Sequence, residues 1–411
     1  MAVLLIGTLD TKGAEVGYVR DRLLAAGVAV RVLDAGSLGS PAIPTDVSRE
    51  AVFRAAGSTL ESVREKNDRG HAVSLAAEGA TKIAVRLHAS GELSGILALG
   101  GSAGTTIGTA AMRALPLGVP KLMVSTLASG QVQPYVGTRD VMMLHSVVDI
   151  AGVNRISRLI LNNAAAAMTG MVRDPSPQSP SRSGAGERPI IVATMFGVTT
   201  PCVEAARVRL EAAGYEVLVF HATGTGGRTM EGLIADGLVA GVLDITTTEL
   251  ADELAGGILS AGPDRLTAAG RAGIPQVISV GALDMVNFGP PDTIPNRYRD
   301  RTFHRHNPNV TLMRTTPDEM ARLGEELARK AAASTGPVAV MLPLKGVSAI
   351  DADGKPFWLP EADRALFDSL RENLPPDRLQ EFDSHINDAA FAEACAAKLL
   401  EMLARAAERR T

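Results

Sequence analysis

The sequence repeats itself. The segment Arg20-Asp21-Arg22-Leu23-Leu24-Ala25-Ala26-Gly27 returns as Arg207-Val208-Arg209-Leu210-Glu211-Ala212-Ala213-Gly214, and the surroundings return with it. An apolar run and a glycine-containing turn precede each copy, Ala2 to Gly7 in one case and Ile190 to Gly197 in the other. A second apolar run follows each, Val28 to Asp34 and Tyr215 to His221. Further on, Gly95-Ile96-Leu97 is answered by Gly241-Val242-Leu243, and Gly118-Val119-Pro120 by Gly273-Ile274-Pro275. Chance likeness between two amphipathic helices would not keep four matches in one order, so the chain reads as a duplicated unit. Each unit opens strand, turn, helix, strand within about 35 residues, the pattern of a right-handed βαβ crossover. The expected fold class is therefore α/β: two Rossmann-like parallel-sheet domains made by internal duplication.

The join between the copies is legible too. Arg173 to Pro189 is rich in proline, serine and glycine and lacks hydrophobic periodicity, as a linker does. The expected organisation is an N-terminal domain over 1–172, a linker over 173–189, and a C-terminal domain over 190–411. Helical patterns at Leu359 to Asn373 and Ala389 to Arg409 form a C-terminal extension of the latter.

A length of 411 residues suits two domains, and 46 % hydrophobic with 21 % charged residues suits well-packed cores. The net charge of −4 provides no basic footprint for a nucleic-acid partner. No run approaches the ~18 apolar residues of a membrane span. The N-terminal apolar run is broken by Asp10 and Lys12 and is too short for a signal peptide. Two distant cysteines, Cys202 and Cys395, make no disulfide framework, so a reducing, cytoplasmic setting is expected.

In doubly wound sheets, ligands sit beyond the carboxyl ends of the strands. In the first half, the exit Gly100-Gly101-Ser102-Ala103-Gly104-Thr105 lies between a strand and a helix, where backbone N–H groups and a helix end can face an anion. It is neither a Walker A loop nor GxGxxG. Two further exits are polar: Asp10-Thr11-Lys12, and Ser125 to Gly130 with Thr126 and Ser129. Together they offer a carboxylate for a metal, a cation for phosphate, and backbone donors, which is what a nucleoside triphosphate with Mg²⁺ requires. The plainer reading makes Asp10 and Thr11 helix caps and leaves Lys12 solvated.

The second half has denser ionisable groups at its exits: Cys202, His221, Asp244, Glu249 and Asp284. Thr223-Gly224-Thr225-Gly226-Gly227 is a second candidate anion cradle. Cys202 and His221 would make a nucleophile and base if they lay close together, but a cysteine after Pro201 at a helix start is more often a small buried residue. His304 and His306 with Asp284 or Asp300 could hold a metal, although their arginine-rich surroundings read as a polar loop. Asp351 and Asp353 before Gly354 lack the later ligands of a calcium loop and read as a turn.

Several of these stretches resemble the Tm-1-like ATP-binding family. The resemblance is carried by Gly7-Thr8-Leu9-Asp10-Thr11-Lys12-Gly13, Gly100 to Thr105, Val124 to Gly130 and Ser146 to Gly152. In the second half it is carried by Met195 to Cys202, His221 to Gly224, Gly281 to Gly289, His306-Asn307-Pro308 and His385 to Asp388. It spans about Val3 to Ala392 and implies two Rossmann-like domains, a homodimer, and ATP held in the N-terminal domain. One position departs: Ala103 stands where the family commonly has glycine, which would cost of order 1 kcal/mol if a positive φ were needed.

The function so expected is ATP binding on Asp10, Thr11, Lys12, Gly100–Thr105, Ser125, Thr126, Ser129 and Gly130, with Mg²⁺. In the enzymatic version, a small metabolite meets His221, Asp244, Glu249 and Cys202 across an interdomain cleft. The alternatives are a nucleotide-sensing or protein-binding module, and a hydrolase of the C-terminal domain that needs no nucleotide.

Overall fold

The computed structural model describes residues 1–174 and 187–408, so most of the expected linker lies outside the described residues. The chain forms two compact units, divided between Ser179 and Pro180.

The first unit is a five-stranded sheet of β1 (Ala2–Gly7), β2 (Val30–Asp34), β3 (Leu93–Gly100), β4 (Lys121–Ser125) and β5 (Met142–His145). Its order is β2-β1-β3-β4-β5 and every pairing is parallel. The second unit repeats that order with β6 (Ile190–Met195), β7 (Glu216–His221), β8 (Gly241–Thr246), β9 (Gln276–Gly281), β13 (Val338–Pro343) and an added edge, β14 (Leu379–Phe382). Read across, it is β14-β13-β9-β8-β6-β7, again parallel throughout. Both are doubly wound sheets whose strand order is that of flavodoxin, which places a switch point between the first and third strands of each.

Strands buried on both faces explain the continuous apolar runs. In β1, Leu4 and Ile6 join the core under the helices Arg49–Ala55, Arg69–Ala89 and Ser102–Arg113. Val3 and Leu5 join the opposite core, under Leu9–Ala25 and Arg155–Arg173. In the second unit the helix Ala389–Glu408 packs beside Thr200–Ala212 on the sheet, through Cys395, Leu399 and Cys202 among others. It is part of the cover of the sheet, and Cys202 is one of its buried contacts.

Between β9 and β13 the second unit carries an antiparallel sheet that the sequence did not announce: β10 (Met285–Phe288), β12 (Val310–Arg314) and β11 (Phe303–Asn307), in the order β10-β12-β11. The Phe303-His304-Arg305-His306-Asn307 strand is an exposed edge, and its polar composition reads as a loop because one side faces water.

Glycine sets how closely the helix Ser102–Arg113 lies on β3 and β4. A Cβ on Gly108 would stand 2.4 Å from Ala98 Cβ and 3.0 Å from Met123 Sδ. Gly108→Ala is therefore expected to destabilise the first unit by about 1–3 kcal/mol, as overpacking does, in a denaturant titration.

Candidate functional site

A cavity of about 750 Å³ opens at the carboxyl ends of β1, β2 and β3, on the switch point of the first unit. Its volume falls in the range of small-molecule sites. Its polar lining comes from Thr8, Asp10, Thr11 and Lys12 after β1 and from Gly100 to Gly104 at the end of β3 and the start of the next helix. Its apolar lining is Val63, Ala72, Val73 and Ile107, with Leu38 after β2, and the cations Arg64 and Arg69 border it.

The helix Ser102–Arg113 starts at this cavity. Its N-cap is Gly101, so no side chain answers the N–H groups of the first turn. The neighbouring helices are capped by Ser48, Thr59 and Asp68. Gly101 is also where a side chain would find room, since the nearest atom to an added Cβ is Thr126 Oγ1 at 3.8 Å. Gly100 and Gly104 serve packing instead: a Cβ on Gly100 would lie 2.8 Å from Gly104 Cα. Ala103 is a regular residue of the helix's first turn and not among the positive-φ positions, so the expected strain there is absent.

The remaining expected residues divide. Asp10 is nearly buried and its Oδ2 accepts the Leu38 N–H at 2.9 Å. Lys12 interrupts the helical geometry of Leu9–Ala25 and donates to the Ile150 carbonyl. Thr8 and Thr11 hydroxyls lie 2.9 Å apart. Thr105 and Ser125 are buried and bond each other at 2.6 Å, tying the helix to the end of β4. Thr126 borders Gly101, whereas Ser129 and Gly130 are exposed and do not line the cavity.

In the second unit, the structure joins Asp244 and Glu249 through a residue that the sequence did not single out. Arg265 is fully buried, with Nη1 at 2.6 Å from Asp244 Oδ2 and Nε at 2.6 Å from Glu249 Oε2. Burial alone would lower the Arg265 pKa, but Asp244, Glu249 and Glu231 carry it well above the usual value. Glu249 Oε1 meanwhile accepts the N–H groups of Gly224 and Gly227, at 2.7 and 3.0 Å. The second candidate cradle therefore holds an anion, and the anion is the chain's own carboxylate. His221 is exposed, and its carbonyl, not its ring, bonds Thr223. Cys202 is buried in the core, which pushes its thiol up to about 12 and keeps it from forming a thiolate. Among the described residues, no hydrogen bond joins the Cys202 thiol and the His221 ring, and no group of three or more His, Cys, Asp or Glu is disposed to hold a metal.

A second charged cluster anchors the antiparallel sheet. Arg314 Nη2 is 2.7 Å from Asp363 Oδ1 and 3.5 Å from Asp351 Oδ1. Asp284 lies in the same cluster and accepts Ser348 Oγ–H at 2.8 Å. Three buried carboxylates thus face one guanidinium. Burial raises all three, Asp284 to about 6 and Asp351 and Asp363 to about 7, helped by their mutual repulsion. Asp351, in the segment read as a turn, is fully buried and accepts the Val347 N–H.

The N-terminal domain of the uncharacterised protein family UPF0261 matches residues 1–177, and its C-terminal domain matches residues 188–403. A UPF0261 protein of Clostridium tetani is 48 % identical over 403 residues, covering 98 % of each chain. One of Rhizobium meliloti is 47 % identical over 398 residues, 96 % of this chain and 97 % of the relative. The ToMV susceptible protein tm-1(GCR26) of Solanum lycopersicum is 39 % identical over 418 residues, 97 % of this chain and 55 % of the tomato protein.

The acidic cluster gives the second unit a pH dependence of known sign. Each carboxyl binds its proton more tightly folded than unfolded, so its stabilisation is complete below about pH 4 and is lost as pH rises through 6–7. Each of the three carboxyls lowers the unfolding free energy of the second unit by up to about 1.4 kcal/mol per pH unit between about pH 4 and its folded pKa, so the fall is steeper from pH 5 to 6 than from pH 7 to 8, where it levels off. Asp351→Asn should flatten the fall, and chemical denaturation at pH 5, 6, 7 and 8 measures both.

Proposed function

The chain belongs to the UPF0261 family, and on that footing we propose that its N-terminal unit binds a nucleoside triphosphate, ATP with Mg²⁺, in the switch-point cavity. One observation carries the reading: an uncapped helix start, Gly101 to Gly104, opens on a cavity large enough for a nucleotide. First-turn N–H groups and the positive end of a twelve-residue helix suit a phosphate. The apolar wall at Val63, Ala72, Val73 and Ile107 suits a planar base.

The residues fit the group in part. Phosphate would rest on Gly101–Gly104, with Thr11 and the Thr126 hydroxyl at the margin. Asp10 and Lys12 would serve Mg²⁺ and phosphate only by sharing atoms already engaged with Leu38 and Ile150. Mg²⁺ bound largely through phosphate oxygens and water, with one carboxylate, is its usual manner.

Of the two versions of this reading, binding without turnover has the stronger support. Asp244 and Glu249 are held by Arg265, and Cys202 is a neutral thiol in the core. Of the groups expected to act on a second substrate, only His221 stands exposed. A nucleotide-sensing protein is the form of the proposal that these placements favour.

ATP with Mg²⁺ at a hundred times its dissociation constant should add about 2.7 kcal/mol to stability and raise the melting temperature by several degrees. Gly101→Val should lower the melting temperature of the free protein by only a few degrees, the cost of a poorer N-cap where an added Cβ meets no atom nearer than 3.8 Å, and abolish the rise. No rise at millimolar ATP overturns the proposal, and phosphate release during the titration overturns its non-enzymatic form.

A further inference from the structure

The segment after β2 is fixed more firmly than a surface loop needs to be. The Gly36 N–H donates to Asp34 at 2.9 Å and the Leu38 N–H donates to Asp10 at 2.9 Å. Arg64 donates from Nε to the Ser37 carbonyl at 2.7 Å and from Nη2 to the Leu38 carbonyl at 2.5 Å. Arg49, itself anchored on Asp34 at 2.7 Å, donates to the Gly39 carbonyl. Four charged side chains, from the end of β2 and three helices, thus hold four consecutive residues. Yet Leu38, the apolar side chain at the centre of this clamp, is 72 % exposed and lines the cavity. A single exposed leucine is unremarkable on a mobile surface loop, but here the backbone is pinned and the side chain has no core to join.

We infer that Leu38 is a specificity-determining residue that packs on the base of the bound nucleotide, and that Arg64 is a positioning residue acting through it. The inference rests on the nucleotide reading of the same cavity. Its geometry is a division of labour. The helix start at Gly101 to Gly104 receives phosphate, and Leu38 with Val63 and Val73 encloses the planar, apolar end of the ligand. Arg64 does not need to touch the base; it sets the height of Leu38 by gripping the carbonyls of the two successive peptide links that flank it, those of Ser37 and Leu38. Because the clamp is complete before a ligand arrives, the leucine loses little backbone freedom on binding.

Calorimetric titration with two probes in Mg²⁺, ATP and inorganic tripolyphosphate, separates the two ends of the site. Leu38→Ser should weaken ATP about tenfold, the loss of one apolar contact of this size, and leave tripolyphosphate within about twofold. Arg64→Ala should reproduce that split with little change in melting temperature, whereas a merely structural arginine would lower both affinities together. Equal ATP affinity in wild type and Leu38→Ser overturns the inference and leaves the nucleotide site standing. An equal loss for both probes also overturns it, because Leu38 would then serve the fold or the phosphate. A wild-type protein that binds neither probe overturns the nucleotide reading itself, and this inference with it.

Discussion

The helix Ser102–Arg113 lies nearer to β3 than a side chain would permit, and the first unit is arranged around that approach. Gly100, Gly104 and Gly108 clear the way, with would-be Cβ contacts of 2.8, 3.1 and 2.4 Å to Gly104, Leu99 and Ala98. The close approach brings Ile107, Ala111 and Met112 into the core beside Ile96 and Met123. It also fixes where the helix begins, one residue, Gly101, after the end of β3. A helix that starts there with glycine as its cap leaves its first N–H groups without side-chain partners. The packing of the helix and the open cavity at its start are thus two consequences of one constraint.

The second unit meets the same geometry by filling it. When Gly241-Val242-Leu243 is laid on Gly95-Ile96-Leu97, Thr247 falls at the position of Gly101 and Glu249 at that of Ala103. The carboxylate that replaces a methyl group occupies the cradle of Gly224 and Gly227, so the place of an external anion is taken. A buried carboxylate is costly unless a cation and further donors accompany it, and Arg265 with the two glycine N–H groups meets that need. Arg265 also holds Asp244 in two hydrogen bonds, of 2.6 and 2.7 Å. The duplicated sheets therefore differ in their exits while sharing their strand order.

Much of this architecture is legible in the chain because parallel strands are short apolar runs bounded by glycine, and the duplication repeats them in order. Gly118 and Gly273, matched from sequence, both take positive φ before β4 and β9, where other residues would be strained. What pattern reading misses is set by distant partners. Nothing local marks Arg265, which follows Pro263-Asp264 in a stretch that resembles a solvent turn, as the buried hub of three carboxylates. Asp284, Asp351 and Asp363 meet at Arg314 only because the antiparallel sheet, the loop after β13 and the helix Pro360–Asn373 converge. The glycines at 100 and 104 are conspicuous in sequence, but sequence does not tell a glycine needed for its φ from one needed for closeness. Here closeness is the reason, which is also why Ala103 is accommodated without strain.

A binding site needs groups left unsatisfied by the fold and held in place by groups that are satisfied. At the mouth of the first cavity, both kinds sit within a few residues of each other. Among the described residues, no N-cap side chain answers the first-turn N–H groups after Gly101, and the side chain of Leu38 is largely exposed. Asp10, Arg49 and Arg64, which hold the Leu38 segment, are engaged, as are Thr105 and Ser125, which hold the helix to β4. Because the supporting bonds form on folding, the open donors are held in a fixed direction without further ordering. In the second unit the corresponding first-turn acid, Glu249, is itself engaged on three donors, so the same strand order yields a closed exit. The exit at the switch point thus stays open in the unit whose first turn is short of large side chains, and the small residues Gly100, Gly101, Ser102, Ala103 and Gly104 are what keep it so.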